Sequence, residues 1–212
     1  MRSAGRVIGV DFDNTLVRYD ELIYDVARQR GLVPEGVSKS KQAIRDSIRQ
    51  SAGDSAWHAV QTVVYGERME EARLSDGVAA FFARARRQQT RVFIVSHKTE
   101  HAIADGRQVR FREAALGWMA RQRFFDPDGL GLGTSQVYFE STRDEKLSRI
   151  RALDCTHFVD DLAETFLEPA FPAGVRKILY APHGSPVPLP DVTVCTTWKE
   201  IGDFCFNAGD RG

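Results

Sequence analysis

The stretch Val7-Ile8-Gly9-Val10-Asp11-Phe12-Asp13-Asn14-Thr15-Leu16 decides the fold of this 212-residue chain. Its first four residues are apolar and predict a buried strand, and two carboxylates one residue apart follow directly. In open α/β sheets, ligands bind at the carboxyl ends of the strands, so Asp11 and Asp13 are expected at such a site. One carboxylate there can act as a nucleophile while the other moves a proton or helps to hold a metal. Taken alone, the segment could also form a surface turn, because Asp, Asn and Thr favour turns.

Three later segments complete an ordered set of polar side chains. Two of them are apolar runs that end in a polar residue, and the third is a lysine between those runs. They are, in chain order, Val92–Val95 followed by Ser96, then Lys146, then His157-Phe158-Val159 followed by Asp160 and Asp161. This set resembles the four motifs of the haloacid dehalogenase (HAD) superfamily, most of whose members are magnesium-dependent phosphatases. The resemblance extends from residue 6 to about residue 161.

The resemblance implies a role for each motif in phosphoryl transfer. Asp11 is expected to attack phosphorus and form an aspartyl-phosphate, and Asp13 to protonate the leaving oxygen and then activate water. Lys146 supplies positive charge, and Ser96 donates a hydrogen bond to a phosphate oxygen. Mg²⁺, which prefers hard oxygen ligands, is expected on the carboxylates of Asp11 and Asp160 and on the backbone carbonyl of Asp13. Without the resemblance, Lys146 could be an exposed helix lysine and Ser96 a residue that only ends a strand.

Residues beside these motifs are further candidates for the same site: Asp161, Thr15, His97 and Lys98. Asp160 and Asp161 could instead cap the helix that follows them, and one can cap while the other binds metal. Thr15 is expected to brace the Asp loop rather than to contact substrate. His97 and Lys98 could face the substrate, although a loop histidine is often structural.

The order of elements predicts an α/β fold. Strands are expected at about 6–11, 91–96, 136–140, 156–160, 175–180 and 191–195, with helices between most of them. Such alternation predicts a Rossmann-like, mostly parallel sheet flanked by helices, here an HAD-like core formed by residues 1–16 and 81–212. One helix is expected at about 108–122. Another carries Lys146 and opens with the capping box Thr142-x-x-Glu145.

Residues 17–80 break this alternation, since they contain at least three helical patterns and no good strand. A direct crossover between the first two strands would not need this much chain. The segment therefore resembles the small all-helical cap that many superfamily members insert between their first two motifs. Such a cap closes over the site and contacts the leaving group. Alternatively, these helices only cover one face of the sheet.

Composition fits a soluble intracellular enzyme. Lys+Arg and Asp+Glu both total 29, so the net charge gives no reason to expect nucleic acid or an anionic membrane. No apolar run approaches the ~20 residues that span a bilayer, and the chain passes from Arg6 into a strand without room for a signal peptide. The three cysteines have no metal-ligand spacing, and their odd number argues against a disulfide framework. A cytoplasmic location is therefore expected.

The second acid of the first motif separates the rival chemistries of the superfamily. Members that cleave haloacids without metal, and members that cleave phosphonates with a cap lysine, lack an acid at the position of Asp13. We therefore predict a Mg²⁺-dependent phosphatase that acts on a small phosphorylated metabolite. The alternatives are a phosphomutase or other phosphotransferase with the same motifs, and a non-catalytic protein that binds a phosphorylated ligand. The sequence indicates neither the substrate nor the oligomeric state.

Overall fold

The structure is a computed structural model that describes residues 5–104, 107–184 and 189–207. These residues form ten strands: β1 (Val7–Val10), β2 (Val17–Arg18), β3 (Arg73–Leu74), β4 (Arg91–His97), β5 (His101–Ala104), β6 (Arg107–Arg110), β7 (Val137–Glu140), β8 (His157–Asp160), β9 (Arg176–Tyr180) and β10 (Val192–Cys195). They also form seven α-helices: α1 (Asp20–Gln29), α2 (Lys41–Thr62), α3 (Val78–Arg87), α4 (Phe111–Arg121), α5 (Arg143–Ala152), α6 (Ala163–Leu167) and α7 (Trp198–Asn207). A π-helix continues α2 over Val63–Glu67, and short 3₁₀ turns lie at Met69–Glu71 and Thr134–Gln136.

Six strands form one parallel sheet in the order β10-β9-β8-β1-β4-β7. All six strands predicted from the sequence are present, so the predicted α/β sheet is confirmed. In the register of the sheet, Val10 lies opposite both Ile94 of β4 and Val159 of β8. Asp11, Ser96 and Asp160, which come one or two residues after these positions, therefore lie at one edge of the sheet, at the carboxyl ends of its central strands.

The chain divides into two compact units. The first consists of Met1–Leu16, Leu74–Lys98 and Gln122–Gly212, and it contains the six-stranded sheet with α3, α5, α6 and α7. The second consists of Val17–Arg73 and Thr99–Arg121, and it contains α1, α2, α4 and an antiparallel pair of strands, β5 and β6. None of the helices in the described ranges is both long and apolar enough to cross a membrane.

This division differs from the predicted boundaries, which assign residues 81–212 to the core and 17–80 to an all-helical cap. Residues 99–121 belong to the second unit, and that unit is not all-helical because it includes β5 and β6. The periodicity of α4 correctly predicts a helix, but it does not say against which partner the apolar face packs. That face is buried in the second unit, where the indole of Trp118 donates to the Ala72 carbonyl at 2.9 Å.

Gly9 in β1 leaves space for the ring of Phe158, which a side chain at this position would meet. A Cβ atom at Gly9 would lie 2.5 Å from Cδ2 of Phe158 and 3.1 Å from Sγ of Cys155. The fully buried Phe158 ring lies in turn 5.4 Å from Nζ of Lys146. A glycine at this position therefore lets the ring pack directly against β1, beside a buried lysine.

The first residue of β8, His157, is buried with little hydrogen bonding. Its Nδ1 atom lies 2.8 Å from Oγ1 of Thr156, and within the described part of the chain its Nε2 atom has no hydrogen-bond partner. Burial, with smaller contributions in the same direction from the nearby Arg176 and Arg6, lowers the pKa of His157 to about 4. The folded protein therefore holds this imidazole neutral at pH values where a free imidazole is charged.

We expect the protein to lose stability as the pH falls from 6.5 towards about 4. In this window the unfolded chain binds a proton at His157 and the folded chain does not, so acid favours unfolding. At 1.36 kcal/mol per pKa unit, the effect on the free energy of unfolding is at most about 3 kcal/mol. Urea titrations across this range should show a shallower loss for His157→Gln than for wild type. The exposed His58 supplies the control His58→Gln, and identical pH slopes in all three proteins would contradict the prediction.

Candidate active site

The two acids of the first motif follow β1 directly. The Asp11 amide donates to the Val159 carbonyl at 2.8 Å, so Asp11 still pairs with β8. Asn14 then adopts a left-handed conformation with φ of 59°, and the Leu16 amide donates to the Phe12 carbonyl at 3.0 Å. Asparagine tolerates positive φ better than most residues. The motif thus forms a tight turn that keeps both acids at the carboxyl edge of the sheet.

Lys146 joins the acids that end β1 and β8. Its Nζ atom donates to Oδ1 of Asp11 at 2.6 Å and to Oδ2 of Asp160 at 2.7 Å. The side chains of Lys146, Asp11 and Asp160 are only 4%, 7% and 0% exposed. The exposed-lysine alternative is therefore wrong, and three motifs that are distant in sequence form one buried charge cluster.

The start of α5 explains how Lys146 reaches this cluster. Oγ1 of Thr142 accepts from the Glu145 amide at 3.1 Å, and the Glu145 carboxylate accepts from the Thr142 amide at 3.1 Å. This is the predicted capping box, and it begins the helix at Arg143. Lys146 therefore lies on the first turn of α5, and the strand β7 that precedes this helix pairs with β4.

Burial and neighbouring charges act on the cluster in opposite directions. The pKa of Asp11 is raised to about 6, because burial and the repulsion of Asp160 and Asp13 together outweigh the opposing attraction of Lys146. Burial would lower the pKa of Lys146, but the combined attraction and hydrogen bonds of Asp11 and Asp160 outweigh burial and raise it above its ordinary value. The lysine is therefore charged throughout the physiological range.

The carboxylates of Asp11, Asp160 and Asp161 form a group that could hold a metal ion. One oxygen from each lies within 4.8 Å of the others, and two of the three residues are buried. Oδ1 of Asp160 also accepts from the Leu162 amide at 2.9 Å, which orients this carboxylate and stabilises the turn before α6. A set of oxygen ligands fits a hard cation such as Mg²⁺. Of the predicted carboxylate ligands, Asp11 and Asp160 are both in this group, and Asp161 joins them.

The second acid of the motif, Asp13, has a different basic partner. Nζ of Lys98 donates to both of its carboxylate oxygens, at 2.9 and 2.8 Å, and the Lys98 side chain is only 3% exposed. His97, the residue before this lysine, is exposed and its Nε2 atom donates to the Ser141 carbonyl at 3.1 Å. Lys98 is therefore part of the buried site, whereas His97 bonds to the loop between β7 and α5.

The remaining predicted residues, Ser96 and Thr15, are both buried. Ser96 is 1% exposed near the carboxyl end of β4. Thr15 is fully buried, and among the described residues its hydroxyl has no hydrogen-bond partner. Its backbone carbonyl instead accepts from Oγ of Ser75 at 2.8 Å and from the indole of Trp198 at 3.3 Å. The sequence did not predict these two supports, because hydrogen bonds to a backbone carbonyl leave no pattern in the sequence.

Comparison with known proteins identifies the fold. No family model and no curated protein matches the sequence. Among solved structures, the chain is similar to protein tyrosine kinase A (PtkA) from Mycobacterium tuberculosis, with 17% identity, a TM-score of 0.64 and coverage of 96% of this chain and 99% of that one. It is also similar to a haloacid dehalogenase-like hydrolase from Streptococcus pneumoniae, with 15% identity, a TM-score of 0.61 and coverage of 94% and 97%.

A third similar structure is an HAD family hydrolase from Deinococcus radiodurans that was solved with bound phosphate and sodium. It has 14% identity and a TM-score of 0.59, and the match covers 97% of this chain and 96% of that one. Identities this low show the fold alone. The chain has the HAD fold, and the resemblance that the four motifs indicate is confirmed at that level.

We expect Lys146→Met to lower the free energy of unfolding by about 3–5 kcal/mol, because Asp11 and Asp160 would stay buried without a cation. Added Mg²⁺ should raise the melting temperature of this variant more than that of wild type, since a bound cation replaces part of the lost charge. Thermal denaturation with and without Mg²⁺ measures both effects. The control is Lys177→Met, which removes a partly buried ammonium that bonds the Phe166 carbonyl at 3.0 Å. Equal Mg²⁺ shifts in Lys146→Met and wild type would contradict the expectation that a bound cation replaces the charge of the lost ammonium.

Proposed function

We propose that the chain is a Mg²⁺-dependent phosphatase that hydrolyses a small phosphorylated metabolite through an aspartyl-phosphate on Asp11. The observation that carries this proposal is the buried ammonium of Lys146, 2.6 Å from Asp11 and 2.7 Å from Asp160. A carboxylate that attacks an anionic phosphate needs a cation beside it, because like charges repel strongly where water is scarce. The HAD fold, which several hydrolases share with this chain, supports the same class of reaction.

The two acids divide the chemistry between them. The bond from Lys146 to Oδ1 of Asp11 leaves Oδ2 as the candidate nucleophilic atom. As Oδ2 bonds to phosphorus, the bond from phosphorus to the leaving oxygen breaks, and Asp13 gives that oxygen a proton. Water then attacks phosphorus and gives a proton back to Asp13, and the bond between phosphorus and Asp11 breaks. Asp11 and Asp13 return to their initial state, and phosphate is released.

The remaining residues supply charge and hydrogen bonds around the transferred group. Lys146 counters the negative charge on the phosphoryl oxygens, and Ser96, buried near the end of β4, donates a hydrogen bond to one of them. The carboxylates of Asp11, Asp160 and Asp161, with the Asp13 carbonyl, would hold Mg²⁺. When bound, the metal would supply further positive charge to the phosphoryl oxygens.

Transfer of the phosphoryl group to an acceptor other than water is the second candidate. The same residues would serve it, and one protein with a similar fold is described as a protein tyrosine kinase. A mutase is one form of this candidate. Release of inorganic phosphate in the absence of any acceptor distinguishes hydrolysis from such transfer. A purely ligand-binding role accounts less well for two buried lysines that each bond a motif carboxylate.

Asp11→Asn should lower turnover by at least ~10³-fold, the scale expected when a covalent catalyst loses its nucleophile. Phosphate release from a panel of phosphorylated metabolites and aryl phosphates measures the loss. Mass spectrometry of acid-quenched wild type should find a phosphoryl group on the peptide that contains Asp11. The control is Asp144→Asn, an exposed acid on the same helix as Lys146, and its rates should equal those of wild type. The nucleophile is misassigned if Asp11→Asn keeps wild-type turnover.

Removal of metal should abolish the activity, and added Mg²⁺ should restore it. Ca²⁺ should substitute poorly, because its larger and more flexible coordination sphere does not keep the octahedral geometry of Mg²⁺. Asp160→Asn should raise the Mg²⁺ concentration for half-maximal activity by at least ~10-fold, since one charged ligand is lost. Metal titrations after chelation and dialysis measure these effects. Activity that survives exhaustive chelation would show that the reaction needs no metal.

A further inference from the structure

The basic partner of Asp13 is Lys98, which has no role in the proposed mechanism. We infer that Lys98 is the positioning residue for Asp13: its buried ammonium holds the carboxyl group of Asp13 where that group gives a proton to the leaving oxygen and then takes one from water. The inference rests on the proposed function and assigns that site a further residue.

The contact is a two-point contact. Nζ of Lys98 lies 2.9 Å from Oδ1 and 2.8 Å from Oδ2 of Asp13. Because a hydrogen bond between two charged groups is strong, the two contacts hold both carboxylate oxygens at a short distance from the ammonium and so restrict the position of the carboxylate. The side chains of Lys98 and Asp13 are 3% and 19% exposed, so the lysine is anchored in the protein and the acid keeps some access to solvent.

Lys98 can act as a support because its own position is determined by the sheet. Its amide donates to the Glu140 carbonyl at 2.8 Å, which continues the pairing of β4 with β7 beyond the end of β4. Its ammonium lies 5.5 Å from the centre of the Phe12 ring, and Phe12 is fully buried. That ring packs edge-on against Phe139 of β7 at 5.6 Å. Backbone pairing and an aromatic contact therefore both hold the lysine in place.

The two buried lysines of the site bond different acids. Lys146 bonds Asp11 and Asp160, and Lys98 bonds Asp13. Loss of Lys98 therefore leaves the partners of the nucleophile intact. The expected defect is selective, since attack by Asp11 continues while proton transfer by Asp13 becomes inefficient. This selectivity distinguishes a positioning role from a general loss of structure.

The test compares Lys98→Met with wild type in the presence of Mg²⁺. It uses two substrates, an aryl phosphate with a good leaving group and an alkyl phosphate with a poor one. A misplaced acid should lower kcat for the alkyl phosphate by about 10²-fold, with KM nearly unchanged. Rapid-quench measurements with the aryl phosphate should show near-normal formation of the aspartyl-phosphate and slow hydrolysis of it. The control Lys199→Met removes an exposed lysine that bonds Asp203 at 2.7 Å, and it should leave both rates unchanged.

A double-mutant cycle shows whether Lys98 acts through Asp13. In the Asp13→Asn background, Lys98→Met should cause little further loss, because the group that it positions is already disabled. A further loss as large as in wild type, with a raised KM for both substrates, would mean that Lys98 binds the substrate phosphate and would overturn the inference. If Lys98→Met does not fold, Lys98→Gln, which keeps a shorter hydrogen-bond donor, replaces it in the same cycle and should give the same selective defect.

A crystal structure of the same Lys98 variant tests the positioning role without any turnover. The Asp13 carboxylate should leave its present position or become disordered, while Asp11 and Asp160 stay on Lys146. An unchanged Asp13 conformation would overturn the inference even if the enzyme is active. Failure of the wild-type protein to hydrolyse any phosphomonoester would refute the proposed function. The crystal structure of the variant would still decide whether Lys98 positions Asp13.

Discussion

The site depends on one buried ammonium shared by two carboxylates. Lys146 holds Asp11 and Asp160 together, although these acids end neighbouring strands and would otherwise repel each other. An unpaired carboxylate at this depth would be costly, whereas a bonded one is stable and correctly oriented. The capping box places Lys146 on the first turn of α5, and the register of β1 with β8 brings the two acids together. The ring of Phe158 packs beside the ammonium.

Much of the fold could be predicted because its signals are local. The apolar runs predict all six strands of the sheet, and the Thr142-x-x-Glu145 spacing predicts a capping box that the structure confirms. The placement of α4 could not be predicted, since periodicity shows that a face is buried and not which partner buries it. The packing of Trp118 beside Ala72 depends on contacts between residues far apart in the chain.

The candidate site was predictable to a similar degree. Asp11 and Asp160 meet because parallel strands present their carboxyl ends at one edge, and Lys146 reaches both acids from the first turn of α5. The bond between Lys98 and Asp13 was not predicted, although Lys98 was a candidate residue. A single lysine directly after a strand has no distinctive sequence pattern. Its side-chain partner depends on the backbone pairing with β7, which continues past the end of β4.

The two units alternate along the chain, and their junctions lie close in sequence to residues of the site. Four peptide junctions connect the units, and the first follows Leu16, three residues after Asp13. The second leads into Ser75, which bonds the backbone of Thr15, and the third follows Lys98 itself. Three of the four junctions thus lie next to the turn that carries Asp13, next to a residue that bonds this turn, and next to Lys98. A change in chain length at these three junctions would alter the chain directly beside Asp13, Ser75 or Lys98, whereas the fourth junction, after Arg121, is distant from all three in sequence.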